Sequence, residues 1–308
     1  MEKGDGMTTT GKTIGIMSPG DMGHAVGQVL GSHGLRVIAC LQGRSERTRS
    51  LARRARIEEV STIQTLVSQS DILLSILVPA QAVQLAQVVA KALSETHADL
   101  IYVDCNAIAP QTTCRIGEMI TGAGGRFVDV GIIGNPPGRG GETYFYASGP
   151  DAKAFEELSR FGLSVIVLGE QIGQASAMKM CYAASTKGMV ALFTELLTAA
   201  EILGVSGELK KRIQSSRQSV CYEQMEQELP RMPEKSRRWI GEMEEIAKTF
   251  EGVGLTPHVF AGAAEMYRFV SQTDLARRTP EDSAPRPSLS EAVRTFAGCL
   301  SELKSGKL

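Results

Sequence analysis

The 308-residue sequence predicts an α/β half with a mostly parallel sheet, followed by an all-helical half. Short β-type runs alternate with helical patterns up to residue 168, which is typical of βαβ units. After residue 169 the pattern is helical only, and it begins with one long helical stretch at 174–204. We therefore predict a first domain at 13–168 and a second at 169–308, preceded by a flexible leader at 1–12.

The predicted strands of the first half are apolar runs of the kind buried on both faces of a sheet. They comprise residues 13–17, 35–41, 71–78, 100–104 and 127–133, with two edge strands at 143–147 and 164–168. In the second half, the 174–204 helix would be roughly 45 Å long at about 1.5 Å per residue. Further helices are predicted at 207–228, 234–250, 257–276 and 289–304, and the three prolines of 279–287 predict a loop.

The composition restricts the class of protein. Lys and Arg number 33 against 34 Asp and Glu, which gives no electrostatic reason to bind nucleic acid or an anionic membrane. No apolar run is long enough for a bilayer, and residues 1–12 lack the apolar stretch of a signal peptide. The six cysteines form no C-x-x-C pair, so we expect a cytoplasmic protein without a metal site.

The turn after the first predicted strand has a glycine pattern, Ser18-Pro19-Gly20-Asp21-Met22-Gly23. In a G-x-G-x-x-G dinucleotide fingerprint, Gly20 lets the backbone approach a pyrophosphate, and Gly23 lets the helix pack on its strand. Ser18 replaces the first glycine. The turn follows a strand, opens a helix and begins a βαβ series, so we expect a Rossmann-type site rather than a turn that binds nothing.

The end of the second predicted strand bears on the choice of cofactor. An NAD site usually places Asp or Glu there to bond the ribose 2′-hydroxyl, but residues 38–42 contain no acid. Arg44 and Ser45 follow, and a guanidinium makes charge-assisted bonds to phosphate oxygens. The sequence therefore favours NADP, with NAD as the alternative; Arg44, Arg47 and Arg49 could also form a solvated helix start.

Four segments in order resemble the β-hydroxyacid dehydrogenase family, which includes 3-hydroxyisobutyrate and 6-phosphogluconate dehydrogenases. They are residues 15–23, Leu77-Val78-Pro79, Asp104-Cys105-Asn106-Ala107 with Pro110, and Gly173-Gln174-Ala175 with Lys179. Residues 239–245 and 254–257 resemble a subgroup whose helical domain has no known function. The resemblance implies that Leu77, Val78 and Pro79 form a turn beneath the adenosine side of the cofactor. Asn106 could line the cofactor site through its amide, and the alternative is that it only shapes the end of its strand.

Lys179 is the candidate catalytic residue. It lies among apolar residues and is the only cation between Arg160 and Lys187. Burial disfavours the charged form of an amine, which suits a general acid or base. The resemblance assigns to Lys179 the transfer of a proton to or from the substrate oxygen, while nicotinamide donates or accepts hydride. The alternative is a lysine that extends from a helix into water.

Two departures from the family pattern concern the substrate. The family strand usually ends D-x-P-V-S-G-G, whereas residues 129–135 read Asp-Val-Gly-Ile-Ile-Gly-Asn, so Ile133 replaces a hydroxyl that helps to hold a carboxylate. The family asparagines after the lysine are here Tyr182 and Ala183. We expect Ile133, Gly134, Asn135 and Tyr182 to line the substrate site, although Tyr182 could instead be a half-buried core residue.

These observations predict an NADP-dependent oxidoreductase that acts on a small hydroxy acid or related carbonyl compound. Reduction of a C=N bond is the second hypothesis, because Ile133 weakens carboxylate recognition. A non-catalytic NADP-binding sensor or scaffold is the third. The long helix and the helical half also suggest a homodimer, as the resemblance implies, since exposed apolar stripes would need covering.

Overall fold

The computed structural model describes residues 11–278 and 285–304. Most of the predicted leader, and residues 279–284 of the predicted loop, lie outside this part of the chain. The chain divides into two compact units, one ending at Lys179 and the other beginning at Met180. The predicted domain boundary after residue 168 stays a prediction.

The first unit contains one sheet, for which the described residues supply eight strands. They are β1 (Thr13–Ile16), β2 (Arg36–Cys40), β3 (Glu58–Val60), β4 (Ile72–Ser75), β5 (Ile101–Asp104), β6 (Arg126–Ile133), β7 (Tyr144–Ser148) and β8 (Ser164–Gly169). Their order is β3-β2-β1-β4-β5-β6-β7-β8, and every described pairing is parallel except the antiparallel β6–β7 pair. The predicted, mostly parallel sheet is confirmed.

Two details of the predicted sheet are wrong. The prediction missed β3, whose residues Glu58, Glu59 and Val60 form no apolar run because both glutamates are exposed. Residues 143–147 were expected at an edge, but β7 lies between β6 and β8 and buries Phe145 and Ala147. The two edges of the sheet are therefore β3 and β8.

Helices cover both faces of this sheet. They are α1 (Asp21–Ser32), α2 (Glu46–Arg54), α3 (Ile63–Gln69), α4 (Ala82–Thr96), α5 (Pro110–Gly122) and α6 (Ala152–Glu156). Alternate residues of a strand point to opposite faces, and they belong here to two apolar clusters. One cluster contains Val128 and Val130 with α1, α2 and α6, and the other contains Phe127 with α3, α4 and α5. Rossmann-type sheets bury both faces in this way.

The remaining helices are α7 (Gln174–Ile202), which crosses the division between the units, and five that follow it. The five are α8 (Ser206–Gln214), α9 (Ser219–Glu228), α10 (Ser236–Glu251), α11 (His258–Val270) and α12 (Leu289–Lys304). In the core of the second unit the ring centroids of Trp239 and Tyr267 lie 5.2 Å apart in an edge-to-face arrangement. The Tyr267 hydroxyl donates a hydrogen bond to the Lys187 carbonyl. Among the described residues, none of the helices has the length and apolar character needed to cross a membrane.

Two helix boundaries differ from the prediction. The single helix expected at 207–228 is broken between α8 and α9, where the hydroxyls of Ser215 and Ser216 donate to the carbonyls of Arg212 and Ile213. Serine side chains that bond nearby backbone groups compete with the helical pattern. The helix expected to reach residue 276 ends at Val270, and Asp274–Arg277 forms a separate 3-10 turn.

Candidate active site

The predicted site residues of the first unit follow the carboxyl ends of adjacent parallel strands. Residues 18–23 follow β1, residues 44 and 45 follow β2, residues 77–79 follow β4, and residue 106 follows β5. Ile133 is the last residue of β6, and residues 134 and 135 follow it. The strand order 3-2-1-4-5-6 reverses between β1 and β4. Ligands of such sheets bind outside the carboxyl ends of the strands at this reversal. The topology therefore brings these segments to one edge.

The glycine turn has the shape that a pyrophosphate requires. A Cβ atom built on Gly23 would lie 2.4 Å from the Ser18 carbonyl oxygen, so only glycine allows α1 to begin this close to the turn. A Cβ on Gly20 would meet no described atom within 4 Å, which leaves open space beside the backbone. Among the described residues, no side chain caps the start of α1, so its first N–H groups can bind an anion. The turn fits a dinucleotide.

Asp21, within this turn, forms ion pairs with two arginines. Its Oδ1 atom is 2.9 Å from Arg47 Nη2 and 3.3 Å from Arg139 Nη2. Burial raises the pKa of Asp21, but the hydrogen bond from Arg47 and the charges of Arg47 and Arg139 outweigh burial and lower the pKa below its usual value. The two guanidiniums offset the negative charge that Asp21 would otherwise present to a phosphate. Sequence reasoning missed Arg139 because 118 residues separate it from Asp21.

Arg44 and Ser45 follow β2 and have different local roles. Arg44 donates from Nη2 to the Met17 carbonyl at 3.1 Å, which places its guanidinium beside the end of β1. The Ser45 hydroxyl caps α2 by accepting a hydrogen bond from the Thr48 N–H at 3.3 Å. A 2′-phosphate would find a cation here and no acid in residues 38–45. Arg49 instead pairs with Glu59.

Asn106 connects the end of β5 to the turn after β4. Its Oδ1 atom accepts from the Leu77 N–H at 2.6 Å, and its Nδ2 atom donates to the Ser75 hydroxyl at 3.0 Å. The side chain is only 2% exposed, so the predicted pocket-lining amide is already bonded to the protein. Asn106 shapes the turn of Leu77, Val78 and Pro79, in which Val78 is exposed.

Asp104 lies beneath Asn106 at the end of β5. Its Oδ1 atom accepts from the Asn106 N–H at 2.9 Å, while Oδ2 is buried with no hydrogen-bond partner among the described residues. Burial raises the pKa of Asp104 to about 7, against the hydrogen bonds from Asn106. This carboxyl therefore titrates near neutral pH, which no pattern in the sequence indicated.

The first turn of α7 is attached to β6 and β7 by two buried side chains that the sequence analysis did not single out. Asp129 accepts hydrogen bonds from the N–H groups of Gly173 and Ser176, and the Ser148 hydroxyl accepts one from Ala175. Burial raises the pKa of Asp129, although hydrogen bonds from Ser176, Ser148 and Gly173 oppose the shift. A charged residue in a strand buried on both faces was a signal that could have been used, since buried carboxylates need partners.

Lys179 lies one turn beyond this attachment and contacts the end of β6. A Cβ atom built on Gly131 would lie 2.5 Å from the Ala175 carbonyl oxygen and 3.0 Å from Lys179 Cβ, so the glycine lets α7 approach the strand closely. The Lys179 amine donates a hydrogen bond to the Ile132 carbonyl. The amine therefore lies at the same carboxyl edge as the glycine turn, beside Ile133.

The predicted substrate residues differ in their surroundings. Ile133 is buried at the end of β6, and Gly134 has φ 125°, a conformation that favours glycine. Asn135 is exposed; its carbonyl accepts from the Thr143 hydroxyl and its side chain donates to the Gly140 carbonyl. Tyr182 lies on α7 in the second unit and is 47% exposed, so its side chain is half-buried and its place in the substrate site stays a prediction.

Comparison with known proteins finds one family match in each half of the chain. Residues 13–163 match the family described as the NAD binding domain of 6-phosphogluconate dehydrogenase, and residues 200–270 match a domain of unknown function, DUF1932. The first match defines an NAD(P)-binding domain of oxidoreductase type. Together the two matches confirm the predicted resemblance to the β-hydroxyacid dehydrogenase family and to its subgroup with this C-terminal domain.

Two curated relatives extend this result. The chain is 27% identical over 259 residues to an uncharacterised 28.5 kDa protein of Methanothermus fervidus, which covers 84% of this chain and 99% of the relative. It is 32% identical over 111 residues to glyoxylate/succinic semialdehyde reductase 1 of Arabidopsis thaliana, which covers 35% of this chain and 38% of that enzyme. The second similarity concerns only part of each chain.

Solved structures agree with the fold. A conserved protein of unknown function, with reported structural similarity to 3-hydroxyacid dehydrogenases, is 29% identical with a TM-score of 0.65 over 84% of this chain and 97% of its own. The 3-hydroxyisobutyrate dehydrogenase of Mycobacterium tuberculosis is 17% identical with a TM-score of 0.67 over 93% and 99%. An imine reductase of Bacillus cereus is 19% identical with a TM-score of 0.53 over 92% and 99%. At these identities the last two similarities show the fold alone.

Proposed function

We propose that this protein is an NADP-dependent oxidoreductase that transfers hydride between nicotinamide and a small hydroxy acid or related carbonyl compound. One observation supports this most strongly: the Lys179 amine lies at the carboxyl edge of the sheet, on the Ile132 carbonyl, where the fold binds its dinucleotide. Nicotinamide, when bound, supplies or accepts the hydride. The first turn of α1 would hold the pyrophosphate, and Arg44 would hold the 2′-phosphate.

Lys179 would act as the general acid or base of this reaction. During reduction its ammonium would donate a proton to the carbonyl oxygen of the substrate, and during oxidation its amine would remove the hydroxyl proton. The Ile132 carbonyl accepts a hydrogen bond from the amine and so holds it in place. Ile133 and Asn135 would face the substrate from the end of β6. Tyr182 stays a predicted substrate residue.

The test compares wild type with Lys179→Ala and Lys179→Gln, using NADPH and NADH with a panel of oxo acids, aldehydes and ketones. Loss of a positioned acid or base lowers the rate by about 10²- to 10⁴-fold, so both variants should lose at least about 100-fold in kcat while still binding NADPH. Equal turnover by Lys179→Ala and wild type would remove the lysine from the mechanism. Turnover with NADH but not NADPH would contradict the cofactor assignment.

Imine reduction is the second candidate, and Ile133 is the observation that favours it. Ile133 stands where the family pattern has a hydroxyl for a substrate carboxylate, and its side chain is only 7% exposed. An apolar residue does not favour a carboxylate, but it accepts a cyclic imine. Turnover of cyclic imines without turnover of oxo acids would replace the first proposal by this one.

A non-catalytic NADP-binding sensor or scaffold would behave differently in the same experiments. NADPH would raise the Tm, because a ligand that binds only the folded state stabilises it. No compound of the panel would then be reduced or oxidised. Reduction of any of them that depends on Lys179 excludes this third possibility.

A further inference from the structure

Asp129 is a fully buried carboxylate with no part in the proton transfer just described. Its Oδ2 atom accepts hydrogen bonds from the backbone N–H groups of Gly173 at 2.9 Å and Ser176 at 3.0 Å, and from the Ser148 hydroxyl at 3.1 Å. Its Oδ1 atom accepts from the Ser176 hydroxyl at 2.6 Å. Four donors thus bind one carboxylate. Three of them belong to Gly173 and Ser176 at the start of α7, and the fourth belongs to Ser148 of β7.

This carboxylate fixes the start of α7. The first four N–H groups of a helix have no partner within the helix, and a negative charge there also interacts favourably with the helix dipole. Asp129 satisfies two of the groups at this end, and Ser148 satisfies a third, that of Ala175. Because these acceptors are side chains of β6 and β7, they set where the helix lies along the strands.

The same strand also determines the position of Lys179. Successive residues of β6 point to opposite faces of the sheet. Asp129 and Gly131 face α7, whereas Val130 and Ile132 belong to the apolar cluster on the other face. Lys179 follows Ser176 by three residues, so both lie on one side of the helix. Gly131 sets the distance between Lys179 and the strand, and the Ile132 carbonyl receives the amine.

We propose that Asp129 is a positioning residue for Lys179. It holds the first turn of α7 so that the amine one turn later reaches the carboxyl end of β6 in a single orientation. This inference rests on the proposed role of Lys179. Asp129 itself neither contacts the substrate nor exchanges a proton with it.

The test uses Asp129→Ala and Asp129→Asn. A displacement of about 1 Å can cost about 100-fold in rate, so Asp129→Ala should lower kcat by about 30- to 100-fold and leave the Kd for NADPH within about twofold. Asp129→Asn should restore most of the loss, because its amide oxygen can accept both N–H groups. Its NH₂ group would face the Ser176 hydroxyl, which can donate instead to Thr113 Oγ1 at 2.8 Å.

A matched control removes a helix cap elsewhere in the same unit. The Thr62 hydroxyl caps α3 by accepting a hydrogen bond from the Thr65 N–H at 3.0 Å. Thr62→Ala should lower the Tm, as loss of a cap costs about 1 kcal/mol, and should leave kcat unchanged. If Asp129→Ala does not fold, Ser176→Ala removes one of the four bonds and should lower kcat several-fold at unchanged Kd for NADPH.

A measurement without turnover separates this inference from the proposed function. The rate at which an amine-reactive reagent labels Lys179, followed by peptide mass spectrometry, reports the position of the amine directly. Labelling should be faster in Asp129→Ala than in wild type, Asp129→Asn or Thr62→Ala. Faster labelling in Asp129→Ala with no turnover by wild type would support the positioning role and overturn the function. Unchanged labelling, or an Asn variant as impaired as the Ala variant, would overturn the positioning role.

Discussion

The two units of the chain differ in how completely they bury their apolar residues. In the sheet unit the strands and helices enclose two apolar clusters. The helical unit leaves large apolar side chains exposed, including Leu192, Leu203, Val220, Val253 and Val259. The sheet unit exposes fewer such side chains, among them Val78 and Val88. Where exposed apolar side chains form one continuous patch, they are typical of a surface that another molecule covers. The contrast predicts that the apolar residues exposed on the helical unit, rather than the sheet unit, face a second copy of the chain.

The largest expected effect concerns the close approach of α7 to β6. In Gly131→Ala the added methyl group would overlap the Ala175 carbonyl oxygen, so α7 must shift and carry Lys179 with it. We expect kcat to fall by about 100-fold with little change in the Kd for NADPH. Gly122→Ala is the matched control, because a Cβ there meets no described atom within 4 Å. Equal kcat values for the two variants would contradict the tight contact.

The next effect concerns Arg44 and the choice of cofactor. Loss of a hydrogen bond to a charged group costs about 1.5–3 kcal/mol, so Arg44→Gln should weaken NADPH binding by roughly 10- to 100-fold. NADH binding should change little, since NADH has no 2′-phosphate. Arg49→Gln serves as control, because it removes a nearby charge on α2 that is paired with Glu59 of β3. Parallel losses for NADPH and NADH would argue against a 2′-phosphate site at Arg44.

A smaller effect is expected on assembly. We expect wild type to be a dimer at micromolar concentration, with exposed apolar residues of the helical unit in the interface. Burial of a Leu side chain contributes about 1.5–3 kcal/mol, so Leu192→Glu should weaken the dimer by at least about tenfold. Val88→Glu changes an exposed apolar residue of the sheet unit and should have no effect. Sedimentation velocity or small-angle scattering measures the oligomeric state, and a monomeric wild type would contradict the prediction.

The smallest effect is a pH dependence of stability from Asp104. Its pKa is raised by burial to about 7, whereas an unfolded Asp titrates near about 3.9. Between these values the folded protein holds a proton that the unfolded chain has lost, so stability falls as the pH rises through this window. Asp104→Asn keeps an acceptor for the Asn106 N–H and has no proton to lose. Its Tm relative to wild type should therefore be higher at pH 8 than at pH 5; equal differences at both pH values would contradict the raised pKa.

Most of the sheet could be predicted because its central strands are apolar on both faces, as in 72–75 and 101–104. The edge strand at 58–60 was missed because it has two exposed glutamates and no apolar run. The segments around the site could also be predicted, since parallel strands bring their carboxyl ends to one edge. The contacts of Asp129 with α7 and of Arg139 with Asp21 join residues 44 and more positions apart, and local patterns do not show such pairs.

The antiparallel pairing of β6 and β7 has a consequence for the route of the chain. Because β7 and β8 run opposite to β6, β8 finishes at Gly169, level with Asp129 in the first half of β6. Helix α7 begins next and runs in the same direction as β6, from the level of Asp129 toward that of Ile132. If β7 and β8 instead ran parallel to β6, β8 would end at the carboxyl edge of the sheet, and a helix that began there would run away from that edge. The antiparallel pairing of β6 and β7 thus determines the direction of the helix that carries Lys179.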